Sequence, residues 1–324
     1  MKALICGIGG QDGAYLAALL LDKGYEVIGT SRDAQATSFI NAKRLGIFPR
    51  IRGVSMAVND FRSVLTTLKQ VQPDEIYYLA GQSSVGLSFS QPVETIDSIV
   101  MGTLNMLEAI RFLGRPARYY NAGSGECFGD TGDIPATEDT PFRPKSPYAV
   151  AKATAHNLVS TYREAYKLHA CSGILYNHES PLRPERFVTQ KIVQHAARAA
   201  AGNTEYLLLG NIGIIRDWGW APEYVDAMWR MLQQPHPSDY VIATGKSYSL
   251  TEFVSAAFEE FGLDWREYVR TDAELLRPAD HSVARADPVR AEHELGWKAK
   301  VFMPEVVRNM ARSVPNAARH LINK

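Results

Sequence analysis

Short apolar runs alternate with helically spaced apolar positions through the first half of the chain. Ala3-Leu4-Ile5-Cys6 predicts a buried strand, followed by a glycine loop and an amphipathic helix through Leu21. Tyr25 to Thr30 predicts a second strand, and Glu75 to Ala80 another, announced by Pro73-Asp74. Gly102 to Leu113 has helical spacing, and Arg118 to Ala122 is again strand-like. Strands and helices alternating in this order argue for an α/β chain with a doubly wound, parallel sheet of the Rossmann type.

Beyond about residue 180 the pattern loosens. Pro181, Pro184, Pro222, Pro235 and Pro237 punctuate shorter elements, and Gly and Trp cluster between Leu209 and Trp220. The expected division is a Rossmann domain over 1–180 and a smaller C-terminal substrate-binding lobe over most of 181–324, laid against the C-terminal ends of the strands. Some late segments are expected to return to the first domain. The tail from Pro304 to Leu321 carries helical apolar spacing.

Composition narrows the classes. The 324 residues are 46% hydrophobic and 22% charged, which excludes a disordered or low-complexity chain. Lys plus Arg and Asp plus Glu are both 35, a formal charge of zero that argues against a general nucleic-acid or membrane-surface binder. The three cysteines, Cys6, Cys127 and Cys171, are scattered and odd in number, which suits a reducing compartment better than a disulfide framework. Lys2 precedes an apolar stretch, but Gly9-Gly10-Gln11-Asp12 interrupts it, unlike a signal peptide. A soluble, cytoplasmic protein is expected.

Gly7-Ile8-Gly9-Gly10-Gln11-Asp12-Gly13 follows the first strand and opens the first helix. Gly7, Gly10 and Gly13 form GxxGxxG, a relative of the dinucleotide fingerprint. Such glycines allow the tight turn, the approach of backbone to pyrophosphate and the packing of helix on strand. The helix N-terminus then presents unpaired N–H groups to phosphate. At the end of the second strand stand Ser31 and Arg32, where an NAD site usually has a carboxylate. A hydroxyl and a guanidinium suit a 2′-phosphate, so the expected cofactor is NADP.

Tyr148-Ala149-Val150-Ala151-Lys152 is YxxxK, with Ser146-Pro147 as its helix start. The spacing places phenol and ammonium on one helical face, where a fixed cation is expected to lower the phenol toward neutral pH. Upstream, Ser124 and Glu126 follow a strand end in Gly123-Ser124-Gly125-Glu126. Ser124 can hydrogen-bond a substrate hydroxyl beside the Tyr. A carboxylate two residues further is what an elimination would use, since oxidation of an alcohol to a ketone acidifies the proton on the neighbouring carbon. No HExxH or His–carboxylate cluster suggests a metal, and GxSxG is absent. His178 beside Glu179 reads as a structural loop residue.

Glycine loop, late-strand Ser and YxxxK in this order resemble an extended short-chain dehydrogenase/reductase. The likeness narrows with Gly10 to Leu16, Met101-Gly102-Thr103-Leu104, Leu107 to Arg111, and Ser146 to Lys152. It continues through Tyr176 to Pro181, Phe187 to Lys191, Arg216-Asp217-Trp218-Gly219 and Leu276 to Asp280. Together these resemble the GDP-mannose 4,6-dehydratase family over nearly the full length. The resemblance implies a redox-neutral reaction on GDP-mannose, with Tyr148 as base, Lys152 supporting it, Ser124 on the C4 oxygen and Glu126 moving a proton from C5 to the departing C6 hydroxyl.

The same resemblance implies cofactor contacts from Gly7, Gly10, Gln11, Asp12, Gly13, Ser31, Arg32, Leu79, Ala80, Tyr148 and Lys152. It implies GDP-sugar contacts from Ser83, Asn177, Val188 by the guanine, Lys191, Arg216 and Arg277 at the diphosphate, and Asp280 near the ribose. It also implies a homodimer or homotetramer. Several positions depart from the family pattern. Ser124 stands for Thr, Ala57 for an Asp near the adenine, Asp33 for the second Arg of a pair, Tyr78 for Asn and Phe128 for Tyr. Asp33 weakens the argument for NADP and bears on the loop through Arg44, which the family uses between subunits. A dehydratase of another GDP-sugar such as a manno-heptose, a GDP-sugar reductase or epimerase, and a non-catalytic NADP-binding regulator are the other readings. The intact YxxxK argues against the last, and Glu126 against a reductase.

Overall fold

In the computed structural model, which describes residues 1–314, seven parallel strands form the main sheet. The tail expected to be helical to Leu321 is a helix over Met303–Arg312, and its residues from 315 on lie outside the described ones. The sheet strands are β1 (Lys2–Cys6), β2 (Glu26–Ser31), β3 (Ile51–Ser55), β4 (Glu75–Tyr78), β5 (Arg118–Ala122) and β6 (Ala170–Leu175). The smaller strands β7 (Asn177–Glu179), β8 (Leu207–Leu209) and β9 (Ile215–Trp220) follow, and β10 (Tyr240–Ile242) returns to the main sheet beside β6. The order is β10-β6-β5-β4-β1-β2-β3. Chain direction reverses its course across the sheet between β1 and β4, the switch point at which such folds bind ligands.

Alternation along β1 builds the two faces. Ala3 and Ile5 join Tyr77, Tyr120 and Cys171 under the helices Gln11–Asp22 and Ala221–Gln233. Leu4 and Cys6 point the other way, with Ile76, Tyr78 and Tyr119, under Phe61–Val71, Gly102–Leu113 and Pro147–Tyr166. Period-2 side chains with apolar residues on both faces are what a strand covered by helices on both sides requires.

Local signals set the helix starts. Asp60 accepts from the Arg62 and Ser63 N–H groups at 2.8 and 3.2 Å. Ser146 accepts from Ala149 N–H at 3.1 Å, with Pro147 at the first helical position, so the helix that carries YxxxK begins at a strong N-terminus. Tyr78, one of the departures from the family pattern, has a packing reason. Its phenol donates to the Ser98 carbonyl at 2.7 Å and lies where a side chain on Gly102 would sit.

A second core gathers Ile192, Val193, Trp218, Phe253, Phe258, Val306 and Met310. Beside it β9 pairs in parallel with β7 and in antiparallel with β11 (Ser247–Ser249), while β8 pairs with β12 (Val269–Thr271). Late sequence thus serves both layers. Ala221–Gln233 and β10 pack with the main sheet, while β8, β9 and the later helices build the lobe above its strand ends.

Candidate active site

Gly7, just after β1, has φ +91°, and a Cβ there would lie 2.9 Å from Ala80 N and the Leu79 carbonyl. The loop after β1 therefore lies directly against the end of β4. A Cβ on Gly13 would collide with the Gly7 carbonyl and Ile8 Cα, so glycine lets the first helix settle onto the loop. Gly10 begins that helix with no side-chain cap, leaving the first-turn N–H groups for a ligand. Nothing stands within 4 Å of a Cβ placed on Gly9, so the outer side of the loop is open. This cradle fits a dinucleotide pyrophosphate.

Gln11 and Asp12 do not offer their side chains freely to that cradle. Gln11 Nε2 donates to the His178 carbonyl at 3.1 Å, and its Oε1 accepts from Ser180 at 2.7 Å. Asp12, on the cleft wall, pairs with His178 Nε2 at 2.9 Å. The other ring nitrogen lies 2.7 Å from the Tyr176 carbonyl, so acceptors face both nitrogens and the ring is an imidazolium. Burial disfavours both charges, but their attraction wins, holding Asp12 down at about 2 and His178 above its usual value. His178 is on strand β7, not on a loop, and ties the first helix to the lobe.

Ser31 ends β2 half-buried, its hydroxyl 2.6 Å from that of Thr37, and Arg32 beside it is exposed. Asp33 accepts from the Gln35 and Ala36 N–H groups at 2.9 and 3.0 Å. Its carboxylate is therefore engaged by its own turn, which lessens its force as an argument against a 2′-phosphate. Ala57 N–H is bound by Ser63 Oγ at 3.0 Å, and the half-buried methyl supplies no polar contact.

Ser124, Glu126, Tyr148 and Lys152 line one cleft of about 590 Å³ at the strand ends. Ser124 caps a short 3-10 turn, Gly125–Phe128, by accepting from Glu126 N–H at 3.3 Å, which fixes how far Glu126 stands from it. Lys152 donates to the Ala122 carbonyl at 2.7 Å, and its ammonium lies 5.7 Å from the centre of the Tyr148 ring. Burial pushes the Tyr148 phenol upward, with Ser124 beside it pulling the other way. Burial also pushes Lys152 down to about 8, so it is still largely charged at neutral pH. The expected lowering of the phenol by this cation is not met: desolvation of a buried phenolate is the largest influence on Tyr148 and raises it.

The lobe brings Asn177, Val188, Lys191, Arg216, Arg277 and Asp280 to the same cleft, where Ser83, from the segment after β4, meets them. Arg216 was expected to stand ready for a diphosphate, and the structure engages it within the protein. It is 3% exposed, donating to Asp280 at 3.0 Å and to the His281 and Ile215 carbonyls at 3.0 and 2.9 Å. Arg277 is more open and reaches the same Asp280 oxygen at 3.5 Å. Asp280 is thus first a brace for two guanidiniums. Lys191 Nζ, at the rim, donates to the Leu208 carbonyl at 2.9 Å.

Two groups near this site carry no local sequence signal. Arg183 and Arg186 also line the cleft, Arg183 stacked 3.9 Å over the Phe187 ring and 3.2 Å from buried Glu179. His281, 3% exposed, puts Nδ1 3.7 Å from Glu126 Oε2. Its partner is distant in the chain, so no motif could have marked it.

The switch-point cradle, the late-strand Ser and the YxxxK helix define an extended short-chain dehydrogenase/reductase. Solved structures share the fold: a dTDP-glucose 4,6-dehydratase from Streptomyces venezuelae superposes with TM-score 0.86 at 23% identity, covering 96% of both chains. A UDP-glucose 4-epimerase from Thermus thermophilus gives 0.83 at 25% identity, covering 97% of this chain and all of its own. Sequence comparison goes further. The family model for GDP-mannose 4,6 dehydratase matches residues 4–310. GDP-mannose 4,6 dehydratase 1 of Arabidopsis thaliana is 45% identical over 321 residues, 95% of this chain and 88% of that protein. A GDP-mannose 4,6-dehydratase of Vibrio cholerae is 40% identical over 357 residues, 99% of this chain and 96% of that protein. The chain belongs to the GDP-mannose 4,6-dehydratase family.

Proposed function

We infer that this chain removes water from GDP-mannose in an internal redox cycle, using NADP and yielding GDP-4-keto-6-deoxymannose. The observation that carries this reading is Glu126, a half-buried carboxylate on the cleft wall that also bears Ser124, Tyr148 and Lys152, in a chain of this family. A plain reductase has no use for a second proton-transfer group there.

Bound NADP would supply the hydride acceptor that oxidation at C4 needs and the hydride that reduction at C6 needs. Gly7, Gly10 and Gly13 with Leu79 and Ala80 would form its pyrophosphate cradle, and Ser31 and Arg32 would hold its 2′-phosphate. Tyr148 Oη removes the C4 hydroxyl proton, and Ser124 Oγ bonds the same oxygen. Lys152, steadied by the Ala122 carbonyl, holds its positive charge beside the phenol ring. Once C4 is a ketone, Glu126 takes the acidified C5 proton and delivers it to the C6 hydroxyl, which leaves as water. Arg277, Lys191 and Asn177 hold the diphosphate side, Arg216 and Asp280 fix the wall behind it, and Val188 and Ser83 border the substrate. In this reading residues 1–180 mainly hold the cofactor and 181–324 mainly the GDP-sugar.

The test is incubation of purified protein with GDP-mannose and no added reductant. Mass spectrometry is expected to show loss of one water with no net change in NADPH. Unchanged sugar, with cofactor demonstrably bound, would overturn the reading.

A homodimer or homotetramer in the cytoplasm completes it. No described helix is long and apolar enough to cross a membrane. Val93, 79% exposed, with Ile96, Met101 and Val150, leaves apolar surface on adjacent helices. That is the kind of surface a second copy covers. Sedimentation is expected to give a dimer or larger species at micromolar concentration, and a monomer there refutes the assembly.

A further inference from the structure

We propose that His281 is a positioning residue for Glu126, its Nδ1–H turning onto the carboxylate that carries the proton from C5 to C6. The inference rests on the dehydratase reading above and adds a residue to it.

The backbone around His281 is pinned. Its N–H donates to Asp280 at 3.0 Å, its carbonyl accepts from Arg216 at 3.0 Å, and the next N–H, of Ser282, donates to Asp130 at 2.9 Å. The Ser282 carbonyl in turn accepts from Ile215 of β9 at 2.8 Å. The ring itself is held by no hydrogen bond to any described residue. The ring lies with Nδ1 3.7 Å from Glu126 and 3.9 Å from Asp280, while Nε2 is buried with no partner among the described residues.

Of the two carboxylates, Glu126 has room for the bond. The Asp280 oxygen nearest the ring already accepts from Arg216, Arg277 and the His281 N–H. The Glu126 carboxylate makes no hydrogen bond to any described residue. A separation of 3.7 Å is beyond hydrogen-bond length, and a ring shift of about 1 Å closes it.

The charged groups facing the ring are Glu126, Asp280, Asp130 and Arg216. Burial holds the imidazole below its usual pKa, and the acids oppose this, Glu126 most strongly. A neutral ring donates one N–H and keeps its own proton. In the elimination the C5–H bond breaks toward Glu126, its electron pair forms the C5–C6 double bond, and the C6–O bond breaks. Glu126 returns the proton to that oxygen, which leaves as water. A donor at Nδ1 fixes the carboxylate's direction while it waits at both ends of this transfer.

His281→Leu keeps the bulk and removes the donor, and His281→Asn restores a nitrogen near the Nδ1 position. The Leu variant is expected to lose about tenfold or more in kcat at unchanged KM for GDP-mannose. With substrate deuterated at C5, its isotope effect on kcat is expected to exceed that of the wild type. The Asn variant should recover most of the loss. Wild-type kcat in the Leu variant overturns the proposal, as does an Asn variant no better than Leu.

The ring resonances of the substrate-free enzyme read the same contact without turnover. Glu126→Gln is expected to move the His281 titration to lower pH, since the neighbouring carboxylate favours imidazolium. An unmoved titration overturns the proposal whatever the substrate proves to be. A moved titration with no water loss by the wild type overturns the dehydratase reading alone.

Discussion

Glu126→Gln is expected to abolish release of water from GDP-mannose while leaving the nucleotide sugar bound. Glutamine keeps the shape of the side chain on the 3-10 turn and the N–H bond to Ser124, but its amide cannot take the C5 proton. Loss of a positioned acid–base group costs about 10²–10⁴-fold in rate. The block falls after the first oxidation, so the variant should yield sugar oxidised at C4 with its C6 hydroxyl intact, and mass spectrometry separates this from the dehydrated product. Only the Glu126 charge beside His281 and Arg216 is removed, so the melting temperature should change little. Water loss at the wild-type rate would falsify the role given to Glu126.

Tyr148→Phe should fail one step earlier. The ring stays packed beside Ile99, Ala151 and Ala155, and the lost atom is the oxygen that must exchange a proton with the C4 hydroxyl. The expected loss in kcat/KM is again about 10²–10⁴-fold, now with no oxidised sugar formed. The wild-type dependence on pH has a definite sign. Burial keeps the phenol protonated, so its use as a base should grow as pH rises. That gain should fade above about 8, where Lys152 sheds its charge. A flat profile through neutral pH, or a Phe variant that still oxidises C4, would remove Tyr148 from the base role.

The parts of this protein legible in the sequence are those whose physics is local. Period-2 and helical apolar spacing placed β1, β2, β4, β5 and the Gly102–Leu113 helix to within a residue or two. Steric need marked Gly7 and Gly13, and the Ser146-Pro147 start fixed the register that puts Tyr148 and Lys152 on one face. Ser124 and Glu126 were readable for the same reason, since two residues across a strand end cannot lie far apart.

Tertiary structure alone decided the relations between distant segments. Lys152 spends a hydrogen bond on Ala122, His178 of β7 becomes an imidazolium against Asp12 of the first helix, and Arg216 is taken up by Asp280 and backbone carbonyls. It also decided that β10 closes the main sheet and that His281 stands beside Glu126. Desolvation, which raises Tyr148 and lowers Lys152, depends on everything packed around a group and has no expression in spacing. Chemistry carried by neighbours in the chain was determined by the sequence itself. Chemistry set by burial and by partners far along the chain was decided only when the lobe closed over the strand ends.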